Sequence, residues 1–209
     1  MASPRDLFDD AWRRCDMLSV MYAYLSNTTS SVLNSEEILR AEWVARVAAL
    51  DLYVHELVAQ RMVEIFDGRR AATDAYKKFM LSNETLERIR GATTQALATA
   101  AYDLEIRRQL GFITFQGHES ISNGIRMVSS VELWNGVAAY LGASPSTVSK
   151  DAKALRRQLS MIVERRNKIA HEGDMQPSAP RVPWPISQAN LQIVRDFIFG
   201  IIKAIDAIA

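Results

Sequence analysis

The chain has 209 residues, 48% of them hydrophobic, and its 25 basic and 24 acidic side chains leave a net charge of +1. That length suits one domain or two small ones with a real core, the apolar content excludes disorder, and the balanced charge excludes a global pull toward nucleic acid or membrane. One cysteine, Cys15, and three dispersed histidines, His55, His118 and His171, leave no disulfide framework and no local ligand cluster, so neither metal nor cofactor is expected.

The prolines order the elements. Residues 5–144 contain none, whereas Pro177, Pro180, Pro183 and Pro185 crowd into nine residues. A long proline-free stretch rich in Ala, Leu, Arg and Glu predicts helix and argues against a hairpin-rich β fold. The first helix is expected over 4–26, with Pro4 in its first turn and Cys15 buried as a small apolar residue. A Ser/Thr/Asn-rich loop follows at 26–35. Asn34 with Glu37 resembles a capping box at the head of a long helix over 36–67. Trp43, Val47, Leu50, Val54 and Leu57 recur there at spacings of 4, 3, 4 and 3, which is a bundle stripe.

A short helix at 71–80 and a longer one at 83–110 come next. Segment 111–120 is strand-like but too short for a sheet. Helices follow at 119–128 and 131–141. Ser144-Pro145 then signals a restart with Ser at the N-cap, and Gly173 is placed to cap the far end. This motif helix therefore spans about 145–172. The proline-stiffened connector 175–185 leads to a last core helix over 187–208, with Leu191, Val194, Ile198, Ile201, Ile205 and Ile208 on one face. The sum is a single all-α domain over 1–209. The N-terminus has no signal-like apolar region and no membrane-length apolar run occurs, so a soluble cytoplasmic protein is expected.

One segment concentrates charge. Residues 150–168 hold seven basic side chains (Lys150, Lys153, Arg156, Arg157, Arg165, Arg166, Lys168) against Asp151 and Glu164. Such a stretch is either the solvated face of an amphipathic helix or an anion-binding face, phosphate being the obvious anion. It runs into Arg165-Arg166-Asn167-Lys168-Ile169-Ala170-His171-Glu172-Gly173-Asp174. The string RRNKIAHEGD, an Arg followed after four residues by His, resembles the HEPN superfamily, and in particular its RiboL-PSP-HEPN branch. Segments 40–62, 115–121 and 132–142 are similar to that branch as well, so the resemblance covers most of 36–175.

The resemblance implies an antiparallel bundle of about six to eight helices and a metal-independent endoribonuclease, in a toxin or antiviral-defence setting, acting as a homodimer with a composite interface site. RNA is the implied substrate, a 2′,3′-cyclic phosphate the implied product end, and an antitoxin or defence-system component the implied partner. Carried over residue by residue, Arg166, Asn167 and His171 are the catalytic candidates, with Arg165 and Glu172 supporting. Lys150, Arg156, Arg157 and Lys168 are candidates for holding the RNA backbone. Where some members carry a tyrosine two residues after the histidine as a modification site, this chain has Gly173, so regulation by modification there is not expected.

The chemistry is sound on its own terms. A 2′-hydroxyl can cut RNA if a base takes its proton, an acid protonates the leaving oxygen and cations steady the phosphorane. Five residues along a helix turn about 500°, so Arg166 and His171 point about 140° apart. Asn167 and His171, at i and i+4, share a face. One protomer thus offers one imidazole, and a two-fold dimer would supply two.

Three other readings stand beside this one. A non-catalytic HEPN module would bind RNA, a nucleotide or a protein. Residues 137–151, VAAYLGASPSTVSKD, look like a helix-turn-helix, but the second helix is longer than a groove reader needs and the net charge gives little attraction to DNA. In the bland reading, Arg166 pairs with Glu164 or Glu172 and His171 merely closes a helix. His55 reads as a structural or surface histidine, and His118 as a turn residue rather than a ligand.

Overall fold

A computed structural model describes residues 2–28 and 34–209. Eight α-helices account for the architecture among these residues: α1 (Pro4–Thr28), α2 (Glu36–Phe66), α3 (Asn83–Arg90), α4 (Gln95–Leu110), α5 (His118–Val128), α6 (Leu133–Tyr140), α7 (Val148–Glu172) and α8 (Gln188–Ile208). The expected all-α bundle is therefore what the chain forms. None of these helices is long and apolar enough to cross a membrane.

α2 is the hub, packing against α1, α4, α5, α7 and α8. The stripe from Trp43 to Leu57 is buried, and Leu39, Tyr53, Val58, Ala59 and Met62 bury the remaining faces. Neighbours lie on nearly every side of α2, which is why its apolar residues exceed a single stripe. α1 runs antiparallel to it: Phe8 meets Tyr53 edge-on, and further along α1 Ser19 donates to Glu42 at 2.9 Å. α8 runs parallel to α2, with Glu42 opposite Arg195 and Tyr53 opposite Asp206. α8 starts with a capping box between Ser187 and Asn190 and buries Leu191, Val194, Ile198, Ile201 and Ile205, while Ile208 is only partly covered. Cys15 is buried.

Several local expectations are corrected. At 71–80 only a 3-10 turn forms, Tyr76–Lys78. There Thr73 Oγ1 accepts the Tyr76 N–H at 3.0 Å and donates to the Met127 carbonyl at 2.9 Å, a local side-chain bond that competes with helix. The expected helix over 83–110 is two, α3 and α4. Gly91 ends the first, and Thr94 caps the second by accepting the Leu97 N–H. The segment expected to be strand-like forms no strand: a turn at 111–112 leads into 113–116, which have no regular structure. Its polar groups turn instead to Asp51 on α2, which accepts the Phe115 N–H at 2.6 Å and the Gln116 side chain at 2.8 Å.

The motif helix begins three residues later than expected. Ser144 Oγ contacts the hydroxyls of Ser146 and Thr147, and residues 144–147 make a turn whose carbonyl at Ser144 receives the Thr147 and Val148 N–H groups. Asn34 contributes its backbone carbonyl to the Glu37 N–H, and Glu37 points its carboxylate at Arg40, so the capping box does not form as read. Half of the loop expected at 26–35, residues 29–33, lies outside the described residues, and 26–28 belong to α1. The connector after α7 is not a straight spacer. Met175 and Pro183 bridge antiparallel, and Gln176 N–H reaches the Val182 carbonyl, so the proline-rich segment doubles back beside the end of α7.

Candidate functional site

The 25 residues of α7 make a rod roughly 37 Å long. Ala152, Leu159 and Ile162 bury one side of it, and Trp43 of α2 donates its indole N–H to the Ile162 carbonyl at 3.0 Å. Gly173 ends the helix in the left-handed region at φ 65°, as its position predicted. Asp174 follows with φ 56°, and its N–H returns to the Lys168 carbonyl at 3.0 Å. Two successive left-handed residues turn the chain sharply inward, and Asp is one of the few side chains that tolerates this.

That turn buries the Asp174 side chain completely. Its Oδ2 accepts from Arg40 Nε at 3.2 Å and from Arg165 Nη2 at 3.0 Å, while Oδ1 has no hydrogen-bond partner among the described residues. Arg40 is itself 2% exposed and also donates to the Trp184 carbonyl at 2.7 Å. Arg165 completes the clamp by donating to the Pro185 carbonyl at 2.9 Å and lying over the Trp43 ring. Arg165 is therefore committed to joining α2, α7 and the connector. Sequence reasoning missed Arg40 and Asp174. Arg40 lies three residues before Trp43, in register with the buried stripe, and that spacing was a usable signal.

The remaining motif residues are disposed differently. Arg166 is half-buried, and its Nη1 donates to Asn167 Oδ1 at 3.0 Å. Asn167, His171 and Glu172 are exposed. No hydrogen bond joins Asn167 to His171 among the described residues, and Arg166 pairs with neither Glu164 nor Glu172, so the bland pairing is not made. Arg166 and Asn167 are thus joined by a hydrogen bond, and His171 is bonded to neither among the described residues.

Projected at about 100° per residue, Lys150, Lys153, Arg157, Lys168 and His171 fall within about 60° of one another, and Asn167 lies about 40° from His171. All six are exposed. Elsewhere in the molecule most arginines pair with carboxylates: Arg5, Arg13, Arg40, Arg46, Arg107, Arg108 and Arg195 all do. On α7, none of Lys150, Lys153, Arg156, Arg157, Arg166 or Lys168 forms an ion pair among the described residues. Arg156 turns off this face toward α5 and α6. A small hollow of about 160 Å³ beside the stripe is lined by Met161, Glu164, Arg165, Lys168, Asp174 and Trp184.

Neither of the other two histidines lies on α7. His55 sits 3.4 Å from Asp51 and packs edge-on against Phe115. His118 begins α5, and its carbonyl receives the Trp134 indole N–H at 3.1 Å. A second buried charge network crosses the other side of α2. Glu42, fully buried, accepts from Arg46, Arg195 and Ser19. Burial would raise the Glu42 pKa, but these donors outweigh it and hold the carboxyl below its ordinary value. The same balance lowers Asp51, where burial is opposed by His55, Gln116 and the Phe115 N–H. No family model, curated protein or solved structure matches this chain.

Proposed function

We propose that this chain is a metal-independent endoribonuclease of the HEPN type, acting as a homodimer in the cytoplasm and serving as a toxin or defence component. The observation that carries the reading is the exposed, unpaired cationic face of α7, on which His171 stands with Lys150, Lys153, Arg157 and Lys168. A phosphodiester strand laid along that face meets cations spaced over the length of the helix and an imidazole at its end.

In the reaction, one imidazole takes the proton from a 2′-hydroxyl. The 2′-oxygen bonds to the adjacent phosphorus and the bond from phosphorus to the 5′-oxygen breaks. A second imidazole, protonated, gives its proton to that leaving oxygen. The products are a 2′,3′-cyclic phosphate and a 5′-hydroxyl end. Arg166, with Asn167 fixing its guanidinium, steadies the phosphorane oxygens. Because Arg166 and His171 diverge by about 140° on one helix, the Arg of one protomer serves the His of its partner, and two-fold pairing supplies both imidazoles. Glu172, the next residue along α7, is carried as a supporting group for His171, and Arg165 acts through the clamp that fixes the end of α7.

One observation favours a second reading, a non-catalytic RNA-binding module. No hydrogen bond fixes the His171 ring among the described residues, whereas a general base usually has a partner that sets its tautomer. The test is incubation of the full chain with RNA in EDTA, followed by analysis of the product ends. Cyclic phosphate ends, and no cut where the 2′-hydroxyl is replaced by hydrogen, support the enzyme. Bound but intact RNA overturns it in favour of the module.

A further inference from the structure

Far from His171, α5, α6 and the first half of α7 enclose a polar cleft of about 440 Å³, within the size range of small-molecule sites. Arg156 lies fifteen residues before His171, or roughly 22 Å along the helix, so this cleft is separate from the end of α7. Two arginines from different elements enter it, Arg126 from α5 and Arg156 from α7. Arg126 donates only to Asn123, at 3.0 Å, and Arg156 has no hydrogen bond or ion pair among the described residues.

Two helices also begin here. His118 and Glu119 open α5, and Leu133, Trp134 and Asn135 open α6. Neither start has a side-chain cap: Gly117 and Glu132 occupy the cap positions without one. Their first N–H groups are thus left to solvent or a ligand, at the positive ends of two helix dipoles. The wall between them is rigid, because the Trp134 indole N–H is held by the His118 carbonyl at 3.1 Å and by Ser122 Oγ at 2.8 Å.

The cleft is not purely cationic. Glu119 and Glu132 line it too, and neither pairs with Arg126 or Arg156 among the described residues. Opposite charges that share a concavity without pairing suit a ligand carrying both an anion and hydrogen-bond donors. A bare anion would gain from the arginines and lose to the two carboxylates. A nucleotide satisfies both sets, with its phosphate on the arginines and its ribose hydroxyls or base amino group on the glutamates.

We infer that this cleft binds a nucleotide unit, whose phosphate is taken by Arg126 and Arg156 and whose donors are taken by Glu119 and Glu132. The same chemistry is offered by a free mononucleotide and by one residue of an RNA strand. The inference uses no step of the cleavage reaction, and it can hold whether or not His171 cuts RNA.

Isothermal titration of the full chain with adenosine 5′-monophosphate and with inorganic phosphate tests it, beside titration of the His171→Ala protein with an RNA hexamer. Binding of the mononucleotide at least tenfold tighter than phosphate is expected. Arg126→Glu and Arg156→Glu should each weaken it at least tenfold without shifting the melting temperature. Glu132→Gln should weaken the mononucleotide several-fold and leave phosphate unchanged. Binding of the hexamer alone, with the same loss in Arg126→Glu, makes the strand the source. Absence of binding by both nucleotide ligands, binding that all three substitutions leave intact, or phosphate bound as tightly as the mononucleotide overturns the inference.

Discussion

Arg165 donates to Asp174 at 3.0 Å, nine residues further along the chain and around the end of its own helix. Arg40 approaches the same oxygen from α2 at 3.2 Å. One buried carboxylate therefore fixes where α7 stops, where the connector starts and how both sit against the hub. His171 and Gly173 lie on the exposed outside of that turn.

Loss of the carboxylate should be costly. Asp174→Ala removes the one buried carboxylate beside Arg40 and leaves it only Glu37 and Glu36, both exposed; breaking a buried pair costs about 3–5 kcal/mol, and these two carboxylates should hold the loss to the lower end of that range. Asp174→Asn keeps the shape and one acceptor but not the charge, and should fall between the two. Urea unfolding monitored by circular dichroism checks the order wild type, Asn, Ala. Equal midpoints for all three would remove the clamp from the description.

The two adjacent arginines should separate by phenotype. Arg165→Ala is expected to lower the melting temperature by several degrees, because it breaks contacts with Asp174 and Pro185. Arg166→Ala, whose one hydrogen bond is to its exposed neighbour Asn167, should cost under about 1 kcal/mol in stability. Differential scanning calorimetry of the two variants decides the matter, and the reverse order would contradict the assignment.

A tight contact holds α5 against the segment before it. A Cβ placed on Gly124 would lie 2.6 Å from the Phe115 ring, which is itself buried. Gly124→Ala should therefore cost about 1–3 kcal/mol through overpacking, and the added Phe115→Leu change should recover part of it. Thermal unfolding of the single and double variants is the measurement.

Acid should destabilise the fold through its buried carboxylates. Glu42 and Asp51 are both held below their ordinary values. A group whose pKa falls on folding contributes stability above its unfolded pKa, about 4.3 for Glu and 3.9 for Asp. That contribution is lost as the pH falls through the lower folded value. The melting temperature should stay level down to about pH 5 and then fall. In Glu42→Gln it should start lower at pH 7 and fall less steeply. A variant curve parallel to wild type would exclude Glu42 as a source of the acid sensitivity.

The long helices were legible because their apolar residues keep a 3.6-residue period, as Trp43 to Leu57 and Leu191 to Ile205 do. Gly173 was legible as a cap because only a left-handed residue ends a helix in that way. The short segments were not. Thr73 decides its local structure with two side-chain bonds and Thr94 with one, and such bonds depend on where Met127 or the next turn happens to lie. In the motif, sequence could gather Arg165, Arg166, Asn167 and His171 but could not tell which faced inward. Asp174 drew Arg165 into the fold, a contact made only because the chain reverses at Gly173. The pairing of Arg40 with a residue 134 positions away has no local signature beyond its place in the stripe.

His171 and Arg166 are the residues proposed to cut RNA without a metal. The most direct measurement is RNA cleavage in EDTA by the wild type, Arg166→Ala and His171→Ala proteins, each first shown to melt within about 2 °C of wild type, a shift worth about 0.5–1 kcal/mol for a domain of this size. The expected result is cleavage by the wild type and at least a hundredfold loss in each variant. Cleavage that survives both substitutions, or its absence from the wild-type protein, would contradict the claim.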